Sequence, residues 1–425
     1  MKILLVILII ILQHSVFADE IYPVSADSSN ESLVSKLEWS GNLDVKYNLL
    51  HSRKNSSIYK ILYYPEENTS SSLSQIRLEP YINTDYIASK TSFHFKSHGT
   101  FYGDEDSKVD LLELYGSVNP SFSSTLIAGK RTYNWGKGYA FNPVGYVNPT
   151  KDPENPESAQ TGITSFSGEY TKSLTSETLK TITLSAVIIP ATEAVNHSGE
   201  FENTDFAMRT YFLLWDTDID ILGYTSKVNA KQIGVDFSRN IFENIELHGE
   251  YSSFNNATRN LISNGTIGTD KKAGSSYLMG FRYLNTLNTT LIAEYYHNGM
   301  GLTKSEFDSY RNYLDSVLIT NNSQTILQTQ KTVKANFQKP VLMKDYLYLK
   351  IIQPEPFNWV YFTPSLYSII NLQDNSFSLA APLSYKPITN FELVFTPTFF
   401  MGSSKSEFGE KQLGQRYETW LRFYF

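Results

Sequence analysis

Between Lys36 and Leu49 the chain alternates strictly. Leu37, Trp39, Gly41, Leu43, Val45, Tyr47 and Leu49 take one parity, and Lys36, Glu38, Ser40, Asn42, Asp44, Lys46 and Asn48 the other. Successive side chains of a β-strand point to opposite faces, so this run predicts a strand with one apolar and one polar face. The rule returns along the chain. Ile76, Leu78, Pro80 and Ile82 oppose Gln75, Arg77, Glu79 and Asn83. Ile245, Leu247, Gly249 and Tyr251 oppose Glu246, His248, Glu250 and Ser252. A helical period explains none of these runs. The one helix-like patch is Glu306 to Val317, inside a long spacer.

The last residues obey the same rule. Tyr417, Thr419, Leu421, Phe423 and Phe425 share one parity; Arg416, Glu418, Trp420, Arg422 and Tyr424 share the other. An amphipathic strand ending on an aromatic residue resembles the closing strand of bacterial outer-membrane β-barrels. The resemblance implies that Phe425, with Phe423 and Leu421, carries the signal read by the barrel-assembly machinery.

Spacers between the alternating runs are short and long in turn. Short ones at Thr84-Asp85, 173–177, 239–244, 284–288 and 386–390 suit periplasmic turns. Long ones at 51–72, 98–107, 132–161, 190–203, 254–275, 298–330 and 402–414 suit extracellular loops. The fold class expected is all-β: a transmembrane, antiparallel, up-and-down barrel over residues 36–425. About 19 candidate strands can be counted, and a single-chain bacterial barrel needs an even number. Eighteen is the expected count, with 16 and 20 open, and the irregularity lies between 298 and 375. A large soluble all-β domain would have to explain why strand after strand has a face fit for lipid.

Residues 1–18 read as a secretory signal, with Lys2, an apolar run from Ile3 to Leu12, and Val16-Phe17-Ala18 before the expected cut. Ten apolar residues are too few to span roughly 30 Å of hydrocarbon at about 1.5 Å per residue. Residues 19–35 are expected to be a periplasmic lead-in. No cysteine is present, which excludes disulfides, thiolate nucleophiles and thiolate metal sites. The formal charge of -7, without a basic cluster, excludes nucleic acid as an evident partner. Aromatics reach 14%, with Tyr and Phe far outnumbering Trp, as girdles at two membrane interfaces require. Lipid and lipopolysaccharide of a Gram-negative outer membrane are the partners such a surface would meet.

One stretch stands apart from the barrel pattern: Gly129-Lys-Arg-Thr-Tyr-Asn-Trp-Gly-Lys-Gly-Tyr-Ala-Phe-Asn-Pro-Val-Gly-Tyr-Val-Asn-Pro. Pro143, Pro149, Pro153 and Pro156 restrict its backbone and forbid ladder hydrogen bonds, so it reads as an ordered loop outside the sheet. It resembles the Gly-Arg, Trp-Gly, Asn-Pro segment of a broad group of porin-like outer-membrane proteins, with Lys130 where that pattern shows Arg. The resemblance covers 127–153 well and the rest only as barrel patterning. By analogy the segment 132–161 folds inward and constricts a pore, with Lys130, Arg131 and Lys137 facing Asp152, Glu154 and Glu157. The alternative is an ordered loop packed on the outer rim.

The pore candidates are therefore Lys130, Arg131, Trp135, Lys137, Phe141, Asp152 and Glu154 in or beside the segment, and Arg77, Glu113, Arg282, Glu294 and Arg416 on the polar faces of strands. Lys334 and Lys350 join the polar-face cations by the same parity argument. Carboxylates outnumber cations on these faces, which implies weak cation selectivity. The expected function is a porin-like channel for passive diffusion of small polar solutes or ions, with no cofactor, no metal and no catalysis. Two other classes are carried beside it: a substrate-specific channel for anionic or lipidic compounds, and a barrel enzyme or adhesin working through its loops. His94 and His248 fall on the polar parity, but no Gly-x-Ser-x-Gly elbow accompanies them.

Overall fold

The computed structural model describes residues 35–65, 71–103, 107–149, 151–154, 160–190, 203–263 and 266–425. The signal expected at 1–18, nearly all of the lead-in at 19–35, and Glu157 lie outside them. Strands are β1 (Lys36–Ser52), β2 (Ser72–Ile87), β3 (Thr91–Tyr102), β4 (Lys108–Ser121), β5 (Ser124–Arg131) and β6 (Ile163–Ser173). They continue with β7 (Leu179–Ile189), β8 (Asp205–Leu214), β9 (Thr217–Thr225), β10 (Lys231–Phe242), β11 (Ile245–Ser263) and β12 (Thr266–Leu284). The last are β13 (Thr290–His297), β14 (Asp345–Ile352), β15 (Phe362–Asn371), β16 (Phe377–Ala380 with Leu383–Ile388), β17 (Phe391–Met401) and β18 (Leu413–Tyr424).

Each strand pairs antiparallel with the next, and β18 returns to β1 from Asn42↔Tyr424 to Ser52↔Leu413. Both pieces of β16 lie between β15 and β17. Pro382, at the break, has no N–H to give a ladder, yet Ala381 still donates to Pro397 O at 3.0 Å and Ser365 to Pro382 O at 2.8 Å. Counted as one interrupted strand, this yields the even number, eighteen. Closure removes the open edges that hydrocarbon cannot solvate.

Burial is inverted relative to a soluble protein. Leu37, Ile76 and Ile233 are more than 60% exposed, while Asp220, Asp236, His248 and Glu294 are fully buried. Apolar side chains face outward and charged ones face the lumen, as a barrel in lipid demands. Among the described residues no helix is long and apolar enough to cross a membrane.

Several spacer expectations are corrected. Thr84-Asp85 lies inside β2, and the turn follows at 88–90, where Ala88 donates to Thr91 O. Residues 254–275 are mostly sheet rather than loop. The β11–β12 ladder runs on to Ser263↔Thr266, interrupted by a bulge after Phe254, next to Asn256 at φ 60°. The spacer after β13 is helical: α2 (Lys304–Thr320) and α3 (Ser323–Asn336), preceded far upstream by α1 (Ser57–Leu62). Thr303 and Glu306 form a capping box that starts α2 where the sequence showed its helix-like patch. The polar, Gln- and Thr-rich α3 shows little amphipathic pattern, so it was not legible, and Lys334 belongs to its exposed face rather than to the lumen. Ile58, Ile61, Phe307, Leu314, Ile326 and Val333 join the three helices into one apolar cluster over the barrel mouth.

Candidate functional site: the segment between β5 and β6

The segment leaves β5 against β4. Thr132 N–H donates to Glu113 Oε1 at 2.7 Å, and the other oxygen of Glu113 is 3.0 Å from His94 Nε2. Tyr133, Trp135, Val144 and Val147 then bury themselves on Val187, Ile189, Ala207 and Leu222, inward residues of β7, β8 and β9. Asn148 clasps Trp135 from both sides, its Oδ1 accepting the Trp135 N–H at 2.8 Å and its Nδ2 donating to the Trp135 carbonyl at 2.6 Å. Gly136 follows at φ +93°; a Cβ there would lie 2.7 Å from Glu250 Oε1. Only glycine lets the backbone come that close.

Two wall carboxylates take the next turn. Glu250 on β11 accepts the backbone N–H groups of Lys137, Gly138 and Val144, at 2.6, 2.7 and 3.2 Å. Glu294 on β13 accepts that of Ala140 at 2.8 Å and that of Tyr139, and lies 3.0 Å from His248 Nε2. A run of backbone donors converging on an anion is a strong, charge-assisted arrangement. The Lys137 ammonium reaches Asp220 on β9 at 3.0 Å and Asp236 on β10 at 3.8 Å, and Arg209 forks the same Asp220 at 2.7 and 3.0 Å. Phe141 stacks on Tyr296 with ring centres 4.5 Å apart. Lys151 donates to the Gly138 carbonyl at 2.7 Å, and burial holds its pKa below the ordinary lysine value. Burial likewise pushes the hydroxyls of Tyr139 and Tyr146 up to about 12, so both remain donors at neutral pH.

The far end reaches the opposite wall. Glu154 pairs with Lys411, and its carbonyl accepts from Arg416 Nη2 at 3.0 Å and Tyr367 Oη at 3.1 Å. Asp152 Oδ1 accepts the Glu154 N–H at 2.9 Å. Burial raises the Glu154 pKa, and the Lys411 charge opposes that rise. Beside Glu154 lies a cavity of about 220 Å³ lined by Lys350, Arg416, Glu418 and Arg422 among others. The wall beyond it alternates in sign. Arg422 forks Asp44 at 2.8 and 2.9 Å, Lys46 meets Glu79 at 2.8 Å, Arg77 meets Glu79 at 2.6 Å, and Arg416 meets Glu418 at 3.1 Å.

The structure brings Trp135, Lys137, Phe141, Asp152, Glu154, Glu113, Glu294 and Arg416 into this one assembly. Among the described residues it does not pair the segment's own charges with one another. The carboxylates facing Lys137 come from β9 and β10, and the cation facing Glu154 comes from the loop before β18. Arg131 packs its guanidinium over Tyr133 at 4.7 Å. Lys130 shares the outward parity of Leu126 on β5 and donates to the Leu111 carbonyl at 2.7 Å, so it is not a lumen residue. Arg282 meets Glu246 at 3.2 Å, and the same carboxylate oxygen accepts from Tyr139 Oη at 3.2 Å, so Arg282 reaches the segment through Glu246. His94 sits between Asp85 and Glu113, at 2.6 and 3.0 Å. Its ring is thus bracketed by two carboxylates. Parity marked Glu250 as inward without singling it out. Asn148, Tyr139 and Lys411 carried no signal beyond ordinary loop polarity.

The chain covers nearly the full length of several solved structures. OccAB1 of Acinetobacter baumannii matches at a TM-score of 0.55 and 9% identity, over 94% of this chain and 98% of that one. OccK8 (OprE) of Pseudomonas aeruginosa matches at 0.55 and 9% identity, over 92% and 97%. OccK2 (OpdF) of Pseudomonas aeruginosa, solved in complex with glucuronate, matches at 0.53 and 9% identity, over 91% and 98%. The fold is that of an outer-membrane porin barrel. No family model and no curated protein matches the chain.

Proposed function

We propose that the protein is an outer-membrane channel through which small polar solutes and ions diffuse passively, narrowed by the segment between β5 and β6. The observation that carries this reading is the fixing of that segment across the inside of a closed barrel. Its backbone amides rest on Glu250 and Glu294 at one wall, and Glu154 meets Lys411, Tyr367 and Arg416 at the other. An eighteen-stranded barrel leaves an aqueous lumen, and a segment held at both ends cannot swing clear of it. Solutes would pass between the Glu154 end and the alternating charges of β18, β1 and β2, where rings of charge set preference. The apolar exterior suits lipid, and lipopolysaccharide and the assembly machinery are the partners we propose for it.

Planar-bilayer recording tests the reading. Purified protein is expected to give ohmic, salt-dependent conductance, and deletion of residues 138–156 to enlarge the single-channel step. Silence across salts and voltages would remove the channel reading; an unchanged step after the deletion would place the restriction elsewhere.

A further inference from the structure

A second cavity lies on the outer side of the segment, against β9 to β13, with a volume of about 550 Å³. That size falls within the roughly 300–1,000 Å³ of small-molecule sites. Its lining differs from the rest of the lumen. Paired charges line much of the rest of the wall, whereas no Asp, Glu, Lys or Arg lines this cavity among the described residues. Tyr146, Tyr224 and Tyr296 contribute rings, and Asn142, Asn229 and Gln232 contribute amides. Ser252 and Ser276 add hydroxyl groups that are themselves nearly fully buried.

These groups are held in place by one another and by Asp205 and Phe141 behind them. Tyr146 Oη is 3.0 Å from Ser252 Oγ, and its ring lies 6.2 Å from that of Tyr224. Tyr224 Oη donates to Asp205 at 2.6 Å, and the Asn229 amide donates to the Tyr224 hydroxyl at 3.3 Å. Tyr296 is fixed by its stack on Phe141. Gln232 faces inward from β10, and its side-chain amide makes no hydrogen bond among the described residues. An amide offers both donors and an acceptor, and an unpaired one in a recess is available to a solute that carries both.

We infer that this cavity binds an uncharged saccharide, a mono- or disaccharide, before it enters the narrowed part of the lumen. Vicinal hydroxyls each offer a donor and an acceptor, matching amides and tyrosine hydroxyls, and the C–H faces of a pyranose fit flat aromatic rings. An ionised solute would find no charged side chain in the lining, with Asp205 set behind Tyr224 and Asn229, and would lose part of its hydration. The inference rests on the channel reading for its place in transport, but binding is measurable without conduction.

The test is saturation-transfer NMR and calorimetric titration of the full-length protein in detergent, with maltose, glucose, glucuronate and arginine as probes. Maltose or glucose is expected to bind saturably and more tightly than either charged probe, with transfer strongest at the sugar C–H protons. Gln232→Leu, near-isosteric and with no internal partner to lose, is expected to weaken binding about tenfold, the effect of one lost hydrogen bond. Tyr224→Leu removes a ring, and its folding is checked by heat-modifiable mobility. Tighter binding of glucuronate or arginine, no sugar binding at all, or full affinity in Gln232→Leu overturns the site. Sugar binding with a silent bilayer would support the site and overturn the channel; ohmic conductance without sugar binding would do the reverse.

Discussion

Gly138 and Glu250 stand 112 positions apart in the chain, and the backbone N–H of the first donates to the carboxylate of the second over 2.7 Å. The same carboxylate takes the N–H groups of Lys137 and Val144, so one wall residue holds a whole turn of the inserted segment. Replacing Glu250 with Ala leaves three backbone donors without their acceptor. Each unpaired buried group costs on the order of 1–3 kcal/mol. The Glu250→Ala variant is expected to melt lower and to show a larger, noisier single-channel step, read by thermal scanning and bilayer recording together. A step as quiet as wild type would mean that the other anchors suffice.

Lys137 is the cation between Asp220 and Asp236, two carboxylates directly opposed across β9 and β10. Lys137→Gln removes one of the two positive charges, with Arg209, that face Asp220 and Asp236. The reversal potential in a salt gradient is expected to move toward that of the cation, because the local field attracts cations and repels anions. A shift toward the anion would contradict this assignment of the pore-lining field.

Glu407, in the loop before β18, accepts from the Leu342 N–H, from Tyr346 Oη and from the Asn371 amide, and it is fully shielded from water. Burial pushes its pKa up from 4.5 to about 7. The folded state therefore holds this proton more tightly than the unfolded chain. Stability from this group is present below about pH 4.5 and is lost as pH rises through about 7. The melting temperature is expected to be higher at pH 5 than at pH 8, and Glu407→Gln to flatten that slope. A slope that persists in the variant would assign the effect to another group.

Gly41 exchanges both backbone hydrogen bonds with Phe425, at 3.0 and 3.1 Å, where the barrel closes. A Cβ at Gly41 would lie 2.2 Å from the Tyr81 carbonyl and 2.6 Å from the Phe425 ring. Gly41→Val is expected to displace the terminal residue and destabilise closure by roughly 1–3 kcal/mol, the usual cost of overpacking. Removal of Phe425 alone is expected to lower the yield of heat-modifiable barrel in the outer membrane. Wild-type yield of that truncation would separate the residue from the assembly role implied by resemblance.

What the sequence determined by itself was everything governed by a local period. Alternation over two residues placed most of the strands, named most of their lipid and lumen faces, and put Asp44, Glu250 and Glu294 inside, because strand geometry fixes the side of every second residue. Proline and glycine set the segment after Arg131 apart from the sheet for equally local reasons. The expectation that Lys130 faces the lumen is corrected by the same local rule: Lys130 and Arg131 cannot share a face of one strand, and Lys130 is the one turned outward. The tertiary structure decided what meets what. Glu250 could hold Gly138, Lys411 could meet Glu154, and α1 could join α2 and α3 only after the barrel closed and brought distant loops over one mouth. No period in the chain encodes those meetings, because each depends on strand register and closure summed around the whole wall.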